Sequence, residues 1–356
     1  MDIRDILTQL TALPGPPGLE APVVERAGSL LKPFVDNVAI DRMGNLLGMR
    51  ASGCPHARLL MLDAHLDEVG FMVVGHQEGF LRFRSLGSVD PRVLPGRVLR
   101  LCCQPPRFGV IACLPPHVQE KADSDNAIPL DKLFLDVGMA PDEARATFPI
   151  GTRAVFDGAA FALGLGQEPG QGQGQGQGPG QVSGHALDDR ACFAVLLRTM
   201  ELLQGQPLGV DLAVLGSVQE EVGARGAKTA AWAVSPDACI VADVTHGCTP
   251  DAPRHKTFAL GGGPCVGVGP GCHRKLSSGL LEAAKIHGIP HQIEVMEGDT
   301  GTNSWPVQVT NYGIATAVLS LPLKYMHTPV ETVRVDDMEN MALLLARYIQ
   351  SLEGEV

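Results

Sequence analysis

Leu59–Ala64 reads LLMLDA and runs straight into His65, Leu66 and Asp67. A short, almost unbroken apolar run is the pattern of a strand buried on both faces of an α/β sheet. Strands of the same kind are predicted at Asp211–Ser217, Cys239–Ala242, Gln292–Met296 and Ala315–Leu321. Between and around them, helices are predicted at Asp2–Leu13, Glu20–Lys32, Ala191–Leu203, Lys275–His287 and Met338–Ser351. The second should stop at Lys32, because Pro33 disfavours helical geometry in the residue before it. Asp336 and Glu339 have the spacing of a capping box for the last. This alternation predicts an α/β fold.

Moving outward, Val74 to Gly164 changes character. Short runs at Phe80–Arg84, Arg97–Leu101, Phe108–Ile111, Leu133–Val137 and Thr152–Phe156 are closely punctuated by Pro and Gly. They predict a small β-rich insert. The chain therefore divides into a discontinuous α/β domain, residues 1–73 and 184–356, and an inserted domain, residues 74–183. Within the insert, Gly166 to Gln181 reads GQEPGQGQGQGQGPGQ. That composition has nothing to bury and predicts a flexible surface loop.

The 356 residues suit one large α/β domain plus an insert. Asp and Glu exceed Lys and Arg, 39 to 28, for a net charge of −11. That balance argues against nucleic acid or an anionic membrane surface as partner. No apolar run approaches the roughly 20 residues of a spanning helix. The acidic start MDIRDILTQL does not resemble a signal peptide. Nine cysteines without a CxxC pair are expected to be reduced thiols. A cytoplasmic location is the resulting expectation.

The chemistry is expected where the apolar runs end. Leu59–Ala64 is followed by His65 and Asp67, Asp211–Val218 by Glu220 and Glu221, and Cys239–Ala242 by Asp243. Ala315–Leu321 leads through a short loop to His327, and Asp188–Asp189 stands just before a predicted helix. In open α/β sheets the site forms outside the carboxyl ends of the strands. Four strands thus deliver His or carboxylate to one edge. Such a donor set, without Cys, suits Zn²⁺, Co²⁺ or Mn²⁺. Five ligands exceed one open tetrahedral site and fit two divalent ions about 3.5–4 Å apart.

These motifs resemble the co-catalytic metallo-aminopeptidases that include glutamyl aminopeptidase and the tetrahedral (TET) aminopeptidases. The matching segments are Ala64–Val73 (AHLDEVGFMV), Ala186–Arg190 (ALDDR), Val218–Gly226 (VQEEVGARG), Ala242–His246 (ADVTH) and Tyr325–Glu331 (YMHTPVE). Asp41–Leu46 (DRMGNL) and Gly261–Pro264 (GGGP) match more weakly. The resemblance implies a mixed-sheet α/β/α, zinc-exopeptidase-like domain with a small barrel-like insert, and two metal ions per subunit: His65 and Asp243 on one, Glu221 and His327 on the other, Asp188 bridging. It implies Glu220 as general base and Asp67 as the carboxylate that orients His65. It also implies peptide substrates with a free N-terminus and a large homo-oligomer, up to a dodecamer, assembled through the insert. Where the family carries a Gly-Gly-Thr-Asp-Ala-like stretch, Gly298–Asn303 reads GDTGTN. Asp299, Thr300 and Thr302 are candidate pocket residues.

Three other functions compete with the aminopeptidase. One is a di-metal amidase or deacylase acting on a non-peptide amide. The second is an endoglucanase-type glycosidase, disfavoured because paired glycosidase acids need no metal cluster and because aromatic residues make up only 4% of the chain. The third is a catalytically dead assembly protein, which a complete ligand set argues against.

Overall fold

The computed structural model describes residues 1–113, 127–163 and 180–354. Residues 166–179 of the Gly/Gln-rich segment fall outside the described residues. Gln181, at its end, is the first residue of a strand.

Two helices open the chain, α1 (Ile3–Thr11) and α2 (Ala21–Leu31). Asp2 caps α1 by accepting the Arg4 N–H at 2.9 Å. A hairpin, β1 (Asn37–Ile40) and β2 (Leu46–Arg50), leads into β3 (Leu59–His65). The next strands are β4 (Gly70–Gln77), β5 (Phe80–Leu86), β6 (Val98–Leu101), β7 (Arg107–Ala112) and β8 (Phe134–Asp136). After α3 (Pro141–Thr147) comes β9 (Arg153–Phe156), and these six strands close into a barrel. Then follow β10 (Phe161–Leu163), β11 (Gln181–Gly184), α4 (Leu187–Leu202), β12 (Asp211–Ser217), α5 (Arg225–Val234) and β13 (Ala238–His246). The chain continues through β14 (Cys265–Val268), α6 (Arg274–Ile286), β15 (Gln292–Val295) and α7 (Ser304–Gln308). It ends with β16 (Ala315–Leu323), β17 (Glu331–Arg334) and α8 (Val335–Gln350).

The eight-stranded sheet has the order β1-β2-β12-β3-β13-β16-β14-β15. Its middle four strands, β12, β3, β13 and β16, are parallel, so their carboxyl ends reach one edge. They are the continuous apolar runs, and helices cover both faces. Phe193, Leu196 and Leu345 from α4 and α8 belong to the core on one side. On the other side Met61, Leu215 and Val241 pack with Ala227 and Ala231 of α5 and Val307 of α7. The architecture is the expected mixed α/β fold with a closed, barrel-like insert. A smaller sheet, β10-β11-β17, stands beside the main one. Among the described residues no helix is long and apolar enough to cross a membrane.

Several elements differ from the prediction. Cys239–Ala242 lengthens to nine residues, Ala238–His246. The helix predicted from Ala191 belongs to an element that opens at Leu187, yet Asp188 and Asp189 have non-helical backbone angles, so the regular turns begin at Arg190. The capping box of the last helix does not form. Asp336 accepts from the Arg334 guanidinium at 2.9 Å, and Glu339 pairs with Arg198 at 3.0 Å. Asp337 instead accepts the N–H groups of Gly261 and Gly263, at 2.7 and 2.8 Å, and so pins the GGGP turn.

Candidate active site

Of the predicted ligands, His65 ends a strand, Asp188 lies in the non-helical opening of α4, Glu221 and His327 lie on backbone turns next to strands, and Asp243 lies within β13. His65 is the last residue of β3 and is buried. Its Nδ1 lies 3.0 Å from the Asp67 carbonyl oxygen. A carbonyl only accepts, so Nδ1 carries the proton and Nε2 is left for the site. That Nε2 lies 3.1 Å from Asp188 Oδ1. His327 approaches from the loop after β16, its Nε2 3.2 Å from Asp188 Oδ2 and 3.4 Å from Glu221 Oε1. The two oxygens of Asp188 thus face two different imidazoles. Glu220 stands beside them, its Oε2 4.0 Å from His65 Nε2. Asp243 is buried on β13, and an oxygen of it lies within 4.8 Å of ligand atoms of both His65 and Asp189.

The backbone around these groups is held in uncommon conformations. Ala186, Gln219 and His327 have φ of 58°, 58° and 61° without being glycine, a cost that cross-links from elsewhere in the fold must offset. Asp67 supplies one of them. Its carboxylate accepts the N–H of Glu220 at 3.0 Å and of Glu221 at 3.1 Å. The residue expected to orient His65 through its carboxylate therefore splits its work. Its carbonyl holds the imidazole, its carboxylate holds the Glu220–Glu221 turn, and the carboxylate stands off from Nδ1 at 3.6 Å. Asn45 secures the same turn from the β1–β2 hairpin by accepting from Val218 N–H at 3.0 Å and donating to Gly226 O at 3.1 Å.

Two contributors escaped the sequence reading. Glu331, buried at the start of β17, accepts N–H groups from Leu187 and Asp188 on one oxygen and from His327 on the other, at 2.8, 3.1 and 2.8 Å. One carboxylate therefore ties both sides of the Asp188–His327 contact. It lay inside the quoted YMHTPVE segment, but its partners are backbone amides, which no spacing reveals. Asp189 was seen only as half of an acid pair. Its Oδ2 accepts the His65 N–H at 3.2 Å, while its Oδ1 is buried without a hydrogen-bond partner. The barrel also reaches the site. A Cβ on Gly87, just past β5, would lie 3.0 Å from Glu221 Oε2 and 2.9 Å from Val69.

The electrostatics require positive charge at this point. Among the described residues, Asp188, Asp189, Glu221 and Asp243 have no Lys or Arg within salt-bridge distance. Burial, reinforced by neighbouring carboxylates, pushes Asp189 and Asp243 well above the usual carboxylate range. Burial also raises Glu220, to about 8, with Glu221, Asp188 and Asp67 adding to it against the pull of His65. The histidines respond in the opposite sense. Burial disfavours the charged imidazole, yet Asp188 and Glu221 outweigh it and raise His327 to about 11. His65 is likewise raised, by Asp188, Asp67 and Glu220. Neutral imidazole nitrogens and carboxylate oxygens 3.1–3.4 Å apart would repel unless a proton or a cation lay between them. Tetrahedral ligands at 2.0–2.1 Å from Zn²⁺ are themselves about 3.3 Å apart. The donor set and its spacing fit divalent metal.

Behind this edge, Glu68 accepts from Gly15 N–H and from Arg190, each at 2.9 Å, and lies 2.8 Å from His185 Nδ1. Burial alone would raise Glu68, but Arg190 and His185 bring it below its ordinary value. Arg190 also donates to the carbonyls of Leu66, Leu10 and Leu13. It acts as a buried structural tie between α1, the end of β3 and α4.

Comparison with known proteins bears directly on this edge of the sheet. The M42 glutamyl aminopeptidase family model matches residues 44–344, a stretch that contains every group described above except the Gly15 and α1 contacts. A lysyl aminopeptidase of Pyrococcus furiosus is 32% identical, over 98% of this chain and 97% of its own. The aminopeptidase APDkam598 of the archaeon Desulfurococcus kamchatkensis has a similar structure, with a TM-score of 0.87 at 31% identity, covering 98% of this chain and 95% of that one. The Pyrococcus horikoshii TET1 peptidase, described as assembling into a tetrahedron or a large octahedral shell, gives a TM-score of 0.81 at 29% identity, covering 98% and 100%. With the fold, the length and the edge of the sheet all matched, the chain belongs to the M42 glutamyl aminopeptidase family and is an aminopeptidase of the hydrolase class.

Proposed function

We propose that this aminopeptidase works with two divalent metal ions, with His65 and Asp243 on one, Glu221 and His327 on the other, and Asp188 shared. The observation that carries the reading is the position of Asp188, whose two oxygens face His65 and His327 separately. When bound, the ions supply Lewis acidity toward the scissile carbonyl and make water a better nucleophile at neutral pH. Glu220 is the general base: it takes a proton from the attacking water and returns it to the leaving amine. Asp67 keeps Glu220 and Glu221 in register with each other. The surrounding acids favour a substrate with a free, cationic α-amino group, which selects the first residue of a peptide.

Zn²⁺, Co²⁺ and Mn²⁺ all suit this His/carboxylate set. The reading extends to self-association in a large homo-oligomer such as a tetrahedral dodecamer, supported by the TET1 likeness. A cytoplasmic setting is supported by nine cysteines, none in a disulfide. The test is hydrolysis of aminoacyl chromogenic substrates and short peptides after loading with each metal, with N-acetylated controls. Metal-dependent cleavage of free-amine substrates alone is expected. Equal cleavage of acetylated peptides, or activity indifferent to metal, overturns the reading.

A further inference from the structure

Glu294 lies on β15, at the edge of the main sheet, yet its carboxylate is drawn inward across β14. One oxygen accepts the Thr245 hydroxyl at 2.6 Å and the other accepts the Ser320 hydroxyl at 2.6 Å. Both donors belong to the site's surroundings. Thr245 is two residues beyond Asp243 on β13, so the two side chains share a face. Ser320 is the register partner of Asp243 on β16, one strand spacing of about 4.8 Å away. The β14 residue beside Glu294 is Gly267, which puts no side chain in the way.

The charge on Glu294 has no counter-charge. Among the described residues no Lys, Arg or His lies within salt-bridge distance of it. Its hydrogen bonds come from two neutral hydroxyls, which hold the carboxylate in place without neutralising it. Next to it on the same face is a small apolar cluster of Cys272, Met296 and Val318. A half-buried, unneutralised carboxylate held by Thr245 and Ser320, beside the strand position of Asp243, matches a side chain that carries a cationic tip on a long stem.

We propose that Glu294 is the specificity-determining residue of this enzyme, and that it directs cleavage toward peptides beginning with Lys or Arg. The inference rests on the aminopeptidase reading above, which places the scissile bond beside Asp243. The substrate's ammonium or guanidinium meets Glu294. A partly desolvated ion pair of this kind favours the cationic side chain by about tenfold over an uncharged one of similar length.

The experiment compares lysyl, arginyl, leucyl and glutamyl p-nitroanilides with wild-type protein and Glu294→Gln, each loaded with Co²⁺ or Zn²⁺. The readout is the ratio of kcat/KM for lysyl over leucyl substrate, taken within each protein so that the active fraction cancels. Wild type is expected to favour lysyl by about tenfold, with a preference that falls as salt rises. Glu294→Gln, which keeps the side chain's shape and an acceptor, is expected to remove most of that preference through KM rather than kcat. A wild type that favours leucyl or glutamyl substrate overturns the proposal, whatever the variant does. So does an unchanged ratio in Glu294→Gln. If wild type carries its metals and cleaves none of the four, the aminopeptidase reading itself fails, a result distinct from the wrong preference.

Discussion

The main sheet and the inserted barrel use the same strand geometry to different ends. In β12 and β3 every residue after the first is buried, because helices cover both faces. In β7 burial alternates as exposed, exposed, buried, exposed, buried, exposed, because only one face meets the barrel core. A strand buried on both sides is mostly apolar and concentrates its charged groups toward the end where it leaves the sheet, with the fully buried Asp63 of β3 as an exception. That is why the histidines and carboxylates of the main sheet gather at its carboxyl edge. A barrel strand can be polar anywhere along its outer face, so its polar residues mark no site. Its identity lies in a compact core, where Phe71 meets Phe83 and Phe156 edge to face at centroid distances of 5.6 and 5.3 Å. The sheet carries the proposed site, and the barrel carries its own core and approaches that site at Gly87.

The contrast is broken most severely by Glu220→Gln. Loss of the base should lower kcat by about 10²–10⁴-fold while metal content and thermal melting stay those of wild type. Retained turnover would take the chemistry away from this strand end. Phe71→Ala attacks the barrel instead. Removing a fully buried ring should cost about 3–5 kcal/mol, read by denaturant unfolding as earlier loss of the insert's structure. Near-native stability would mean that the barrel does not depend on its aromatic core.

Glu331→Gln sharpens the comparison within the main sheet. Three amides now share one carboxylate, and the amide side chain keeps a single acceptor oxygen. We expect about 10–100-fold weaker metal binding with smaller change in the unfolding midpoint, measured by competition against a chelator. Undiminished metal affinity would make Glu331 a packing residue only. The smallest effect is predicted at Phe108→Thr. Phe108 and Val110 are about half exposed on the outer barrel face, and Val110 pairs in register with the similarly exposed Val98. The change should shift stability by less than about 0.5 kcal/mol yet lower the mass seen in sedimentation, as expected if this face meets another copy. A melting shift of several degrees without any change in mass would reverse the assignment.

How much of this was readable beforehand follows the same division. Apolar runs ending in His65, Glu220–Glu221 and Asp243 announce both the sheet and the edge where its histidines and carboxylates meet, because the apolar pattern and these side chains are adjacent in the chain. Asp188 and His327 were readable as an acid before a helix and a histidine after a strand. Glu331 was not, since it acts on backbone N–H groups that carry no sequence signal. The second task of Asp67 was hidden for the same reason. Helix α5 was not predicted because it packs through Gly226, Ala227, Ala230 and Ala231, a small-residue face that lacks the large apolar stripe of an amphipathic helix. The capping box failed because tertiary partners won: Arg334 took Asp336, Arg198 took Glu339, and the GGGP turn took Asp337.

The most direct test of the central claim is the metal content of purified wild-type protein and of Asp188→Ala after equilibration with Zn²⁺ and removal of excess. A shared Asp188 predicts two ions per chain in wild type and loss of both from the variant at the same free metal concentration. Two ions retained by Asp188→Ala, or fewer than two in wild type under saturating metal, would contradict it.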